Sequence, residues 1–188
     1  SYGLLLHGGA DSRPGAALHV VALNLVGSAL FLFAVGAIYS VTGTLNLADL
    51  SRIVPQLDAA DAGLARAGGL LLLVVFGLKA ALLPLLFWLP RAYAAAPASV
   101  VALFAVLTKV GLYALLRVGS TVYGSAADDA FALLLPVGLA TLALGALGAL
   151  AAPDLGRFAA HTVIASAGTG MVAFAIGSVA SVAAGISY

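Results

Sequence analysis

The sequence predicts an all-α, polytopic membrane protein: a helical bundle of about five full transmembrane spans, preceded by the tail of another helix. Of its 188 residues, 63% are hydrophobic and 8% charged, against about 25% charged in a soluble domain. Mean hydropathy is +1.17. Apolar stretches of roughly 20 residues recur, the length that crosses a ~30 Å hydrocarbon core at about 1.5 Å per residue. The net charge of +1 gives no basic patch for nucleic acid. The absence of cysteine excludes disulfides, thiolate metal sites and cysteine nucleophiles.

Polar and helix-breaking residues divide the chain in order. Ser1 to Leu6 lacks a basic signal-peptide start and reads as the end of a helix, so the sequence is expected to be a piece of a longer chain with helices missing at both ends. His7 to Gly15 reads as a loop, with His7 and His19 near the membrane surface. Residues 16–39 form the first span. Thr42 to Arg66 is the longest polar stretch, and within it Leu45, Leu47, Leu50, Ile53 and Leu57 fall on one face of a short interfacial helix. Residues 68–88 form the second span, closed by Pro90. Leu89 to Ala96 is a short connection that makes the second and third spans antiparallel neighbours. Residues 97–117 form the third span, 130–151 the fourth and 157–180 the fifth, all within one membrane domain.

Smaller features fit this division. Asp128, Asp129 and Asp154 are placed to cap helix N-termini. Gly138, Gly145, Gly148, Gly168, Gly170 and Gly177 suit close helix packing in lipid. Trp88, Tyr93, Tyr113 and Tyr123 read as an aromatic belt at the membrane surface. Arg13, Arg91 and Arg157 on one side balance Arg52, Arg66 and Arg117 on the other, so the positive-inside rule gives no orientation.

The informative residues are the two lysines, Lys79 and Lys109, each near the middle of a predicted span. Each lies roughly 12–14 Å from the nearer span end, beyond the reach of a snorkelling side chain. A central lysine costs roughly 2.5–3.5 kcal/mol to insert, which the surrounding Leu, Val and Phe offset. Counted from the connection, the two depths differ by about 6 Å. Two amines at similar depth on adjoining helices repel when both are charged, a setting suited to a proton relay. No acidic residue lies inside a span to pair with them. The alternative is a packed core in which the lysines bond backbone carbonyls or water.

Pro84, five residues after Lys79, is expected to break the helix and free the carbonyl of Ala80 beside the lysine. Broken helices near the midplane recur at transporter ion sites. His161, one turn into the fifth span, is a candidate relay because histidine titrates near neutrality. No loop carries a nucleophile–base pair, a phosphate-binding loop or a metal-ligand set, so the sequence calls for no cofactor and argues against an enzyme with a soluble substrate.

The runs Phe76–Tyr93 (FGLKAALLPLLFWLPRAY), Ala96–Pro97 and Leu107–Tyr113 (LTKVGLY) resemble the antiporter-like subunits of respiratory complex I and of multisubunit Na⁺(K⁺)/H⁺ antiporters. With Asn24–Ser28 and Thr42–Asn46 they are most similar to the Mrp-type branch of that family, to its D-type member. The resemblance implies a fold of about fourteen helices in two inverted repeats, of which this chain would run from the end of helix five to helix ten. Lys79 and Lys109 would be the helix-seven and helix-eight lysines of a proton half-channel. The loops bearing Arg13, Arg91 and Arg157 would be cytoplasmic. A glutamate partner for Lys79 would precede Ser1. The family carries Tyr or a similar residue where His161 stands, so the resemblance assigns His161 no role. The expected partners are other subunits of a hetero-oligomeric complex, the lipid bilayer, protons and Na⁺ or K⁺, in a prokaryotic cell membrane. A proton-pumping module of a complex I-like oxidoreductase or membrane hydrogenase, and a non-transporting structural subunit, remain as alternatives.

Overall fold

The computed structural model describes residues 13–123 and 133–187. His7, Asp128 and Asp129, and the side chain of Tyr123, lie outside the described parts. Among the described residues all the regular structure is helical, with no strand. α1 (Arg13–Thr42) is predominantly apolar around its circumference, as a lipid-embedded helix should be, with Asn24 and Ser28 among its few polar residues. It ends at Gly43, whose φ of 68° suits a glycine. The short helix α2 (Leu47–Ile53) starts where Asn46 accepts from the N–H of Ala48, and it buries Leu50.

α3 (Ala59–Lys79) differs from the span read at 68–88. It begins nine residues earlier because Asp58 caps it, accepting from the N–H groups of Ala60 and Asp61. It stops at Lys79 because the backbone turns left-handed at Ala81, φ 55°. The Leu89–Ala96 connection is likewise helical. After a 3₁₀ turn (Leu85–Phe87), α4 (Trp88–Ala95) forms the second half of a broken segment. α5 (Ala98–Val118) follows, then a π turn (Gly119–Tyr123).

α6 (Leu134–Leu150) and α7 (Leu155–Ile176) form an antiparallel pair with the most extensive packing in the fold. Asp154 caps α7, accepting from the N–H of Arg157 at 2.8 Å. The sequence predicts a fifth span to residue 180, but Gly177 closes α7 at φ 70°, and α8 (Val179–Ser187) begins beyond it. Among the described residues four helical stretches are long and apolar enough to cross a membrane, Leu18–Thr42, Ala59–Lys79, Ala98–Val118 and Leu155–Ile176, whereas α6 is shorter.

α1 packs along α3, α3 crosses α5, and α4 lies against α7 and α1. Where α1 meets α3, a Cβ on Gly68 would stand 3.0 Å from the Ala34 carbonyl oxygen, so the contact needs glycine. The core beside the break gathers Leu78, Leu86, Trp88, Leu89, Tyr93 and Phe104. Trp88 and Tyr93 are therefore buried, not members of a surface belt, while Tyr113 is half exposed. The Trp88 ring meets Phe104 edge-on at 5.9 Å. The Tyr93 ring stacks on the same phenylalanine at 6.4 Å, and its Oη has no hydrogen-bond partner among the described residues.

Candidate functional site

The site is built around the end of α3. Lys79 is its last residue, and the three residues after it close the helix. The Ala81 N–H returns to the Leu78 carbonyl at 3.3 Å and the Leu82 N–H to the Gly77 carbonyl at 2.9 Å. That pattern is a Schellman closure with Ala81 in the left-handed position usually held by glycine. The helix has thus ended before Pro84 is reached. The break comes from the turn at Ala81, not from a hydrogen bond that Pro84 removes. Pro84 instead leads into the 3₁₀ turn. Trp88 reaches back across the gap, its indole Nε1–H donating to the Leu78 carbonyl at 3.0 Å.

Lys79 is partly buried, and its ammonium donates to the side-chain oxygen of Asn24 on α1 at 2.9 Å. Asn24 is oriented by its own amide, which donates to the Val20 carbonyl at 3.0 Å. Both residues line a cavity of about 540 Å³ bounded by α1, α3 and α5, with Ser28, Phe31 and Phe104 among its walls. Lys109 lines a second cavity, of about 330 Å³, with Tyr113 and Phe174. Its ammonium donates to the hydroxyl of Ser166 on α7. Val110 borders both spaces.

The two lysines are close in level. A Cβ on Gly111 would lie 2.9 Å from the Ala80 nitrogen and 3.0 Å from the Lys79 Cβ, so the α5 backbone touches the break there. Gly111 is two residues past Lys109, about 3 Å along the helix axis. The break therefore sits opposite the middle of α5, although Lys79 ends its own helix.

His161 is not brought to either lysine's cavity. It lies on the face of α7 that meets α6, where a Cβ on Gly148 would overlap its ring, and its Nδ1 bonds the Arg157 carbonyl at 2.8 Å. Ser166, five residues on, faces α5 instead. Asn24, Ser166 and Thr141 are the polar residues that reading the sequence missed. Their types are ordinary in membrane helices, and only the tertiary contacts, across 55 to 58 residues, single them out.

The family described as NADH:quinone oxidoreductase/Mrp antiporter, TM, matches residues 1–188. The chain is 43% identical over 192 residues to the D-type subunit of a probable K⁺/H⁺ antiporter of Rhizobium meliloti (strain 1021), covering all of this chain and 36% of that protein. It is 41% identical over 191 residues to the D-type subunit of the Na⁺/H⁺ antiporter of Bacillus subtilis (strain 168), covering all of this chain and 38% of that protein. It thus spans little more than a third of either relative. The fold matches a chain of the Mrp complex from Dietzia sp. DQ12-45-1b with a TM-score of 0.86 and 27% identity, over 98% of this chain and 34% of the other.

Proposed function

Because the chain belongs to the NADH:quinone oxidoreductase/Mrp antiporter transmembrane family, we propose that it forms the proton-exchanging part of a D-type subunit in a multisubunit Na⁺ or K⁺/H⁺ antiporter. It is a multi-pass membrane protein and belongs with transporters, not classical enzymes. In this reading it works in a prokaryotic cell membrane beside other subunits. The apolar side chains that α1 exposes, Leu18, Leu25, Leu32 and Phe33, meet lipid or those neighbours.

The observation that carries the proposal is the Lys79–Asn24 bond at a helix break level with the centre of α5. A neutral amide oxygen accepts from an ammonium and from a free amine alike. Asn24 therefore holds the Lys79 nitrogen in place through both protonation states without fixing the proton on it. The Ser166 hydroxyl does the same for Lys109 and can also donate, so it can pass a proton on. A proton arriving at one amine raises the cost of charging the other, so a proton already held there is released onward, away from the pair. Pro84 contributes the irregular backbone after the break. His161 has no part in this scheme.

The test is reconstitution of the full complex with Lys79→Ala and Lys109→Ala. Cation/proton exchange is expected to fall to background in each, and normal exchange in both would end the proposal. The family's own description favours one second reading, a proton-pumping module of a quinone oxidoreductase. Mass spectrometry of co-purifying subunits separates the two: quinone or iron–sulfur proteins against small antiporter subunits.

A further inference from the structure

We propose that Thr141 is a positioning residue for Lys79: from α6, its hydroxyl anchors the far side of the break in the lysine-bearing segment. The inference rests on the reading above, in which Lys79 exchanges protons.

An account of the backbone donors through the break singles this contact out. The N–H of Ala80 goes to Phe76, that of Ala81 to Leu78, that of Leu82 to Gly77 and that of Leu85 to Leu82, all within the same segment. Pro84 has no N–H. Leu83 remains, and its N–H donates to the Thr141 Oγ1 at 3.0 Å, 58 residues away. Among residues 80–85 it is the donor satisfied from another element.

Thr141 is completely buried. Its own O–H donates to the Val137 carbonyl one turn back, at 2.7 Å, a common habit of helical threonine. That commits its proton and leaves the oxygen's lone pairs as an acceptor for Leu83. The anchor holds the residue four past Lys79, just beyond the left-handed turn at Ala81. It thereby fixes the path by which the chain leaves the lysine, and with it the height at which the amine meets Asn24. The hydrogen bonds of Thr141 go to Leu83 and Val137, so its hold on Lys79 is exerted through this turn.

The experiment uses the full complex with Thr141→Val, which keeps the shape and removes the acceptor, and Thr141→Ser, which keeps the acceptor. Amide hydrogen exchange of the segment 80–88 is followed by mass spectrometry, alongside the pH profile of exchange in proteoliposomes. Thr141→Val is expected to speed amide exchange about fivefold, the factor that one net hydrogen bond is worth, and to displace the pH profile. Thr141→Ser is expected to superimpose on the wild type in both. Thr141→Ala serves as a second hydroxyl-free variant if Thr141→Val does not assemble, and must behave as Thr141→Val is expected to. Wild-type behaviour of the hydroxyl-free variant, or damage by Thr141→Ser equal to it, would overturn the proposal. Normal transport in both the Lys79→Ala and the Lys109→Ala complex would retire the underlying function, and the amide-exchange contrast would still decide whether Thr141 holds the break.

Discussion

Lys79 on α3 and Asn24 on α1 are joined by a 2.9 Å hydrogen bond across 55 residues of chain. The partner of this amine is thus a neutral dipole. Replacing it by a carboxylate, Asn24→Asp, would put an opposite charge against the ammonium and hold the proton there. Exchange by the reconstituted complex is expected to drop, and its pH profile to depart from the wild type. A pH profile identical to the wild type would show that the amide is not part of the proton path.

Gly111 is where α5 meets the break, with backbone atoms of Lys79 and Ala80 around the place a Cβ would take. Because backbone cannot swing aside, Gly111→Ala must push α5 away from Lys79, a strain of about 1–3 kcal/mol. The expected result is a lower melting temperature of the purified complex together with reduced exchange. Gly36→Ala, at a site where nothing lies within 4 Å, is the control and should change neither. Equal behaviour of the two variants would contradict the contact.

Ala81 holds the left-handed position at φ 55°, which costs a residue with a Cβ roughly 1–2 kcal/mol. Ala81→Gly removes that cost while preserving the turn. Thermal unfolding of the complex should show a gain of about 1 kcal/mol, reduced somewhat by the greater freedom of glycine in the unfolded chain. A loss of stability would mean that the Ala81 methyl, fully buried in the core beside the break, contributes more through packing than its backbone conformation costs.

The same alanine explains where the sequence stopped being readable. Hydropathy alone was enough for the long helices, because a span must be apolar over its whole length, and α1, α5 and α7 begin close to where the composition changes. The boundaries of α3 were hidden at both ends. Its first turns carry Asp61 and Arg66, which read as loop, and its closure uses Ala81 where a glycine would have signalled a stop. Past the break, Pro90 and Arg91 made α4 look like a turn, although proline is tolerated in the first turn of a helix. The lysines stood out because a charge in an apolar run is costly wherever it folds. Asn24, Ser166 and Thr141 did not, since a single polar side chain in a membrane helix is inexpensive until one knows what it faces.

The seam between α6 and α7 has a mechanical consequence. A Cβ on Gly145 would come within 2.5 Å of the Ala165 nitrogen, and one on Gly168 equally close to the Leu142 nitrogen, so main chain rides directly on main chain. Two rods in such contact cannot slide or swivel independently without collision, and they behave as a single stiff plank. Thr141 is mounted on one rod and Ser166 on the other. Any tilt of that plank is felt by the Leu83 amide and the Lys109 amine together, so the break after Lys79 and the second amine answer to one rigid frame.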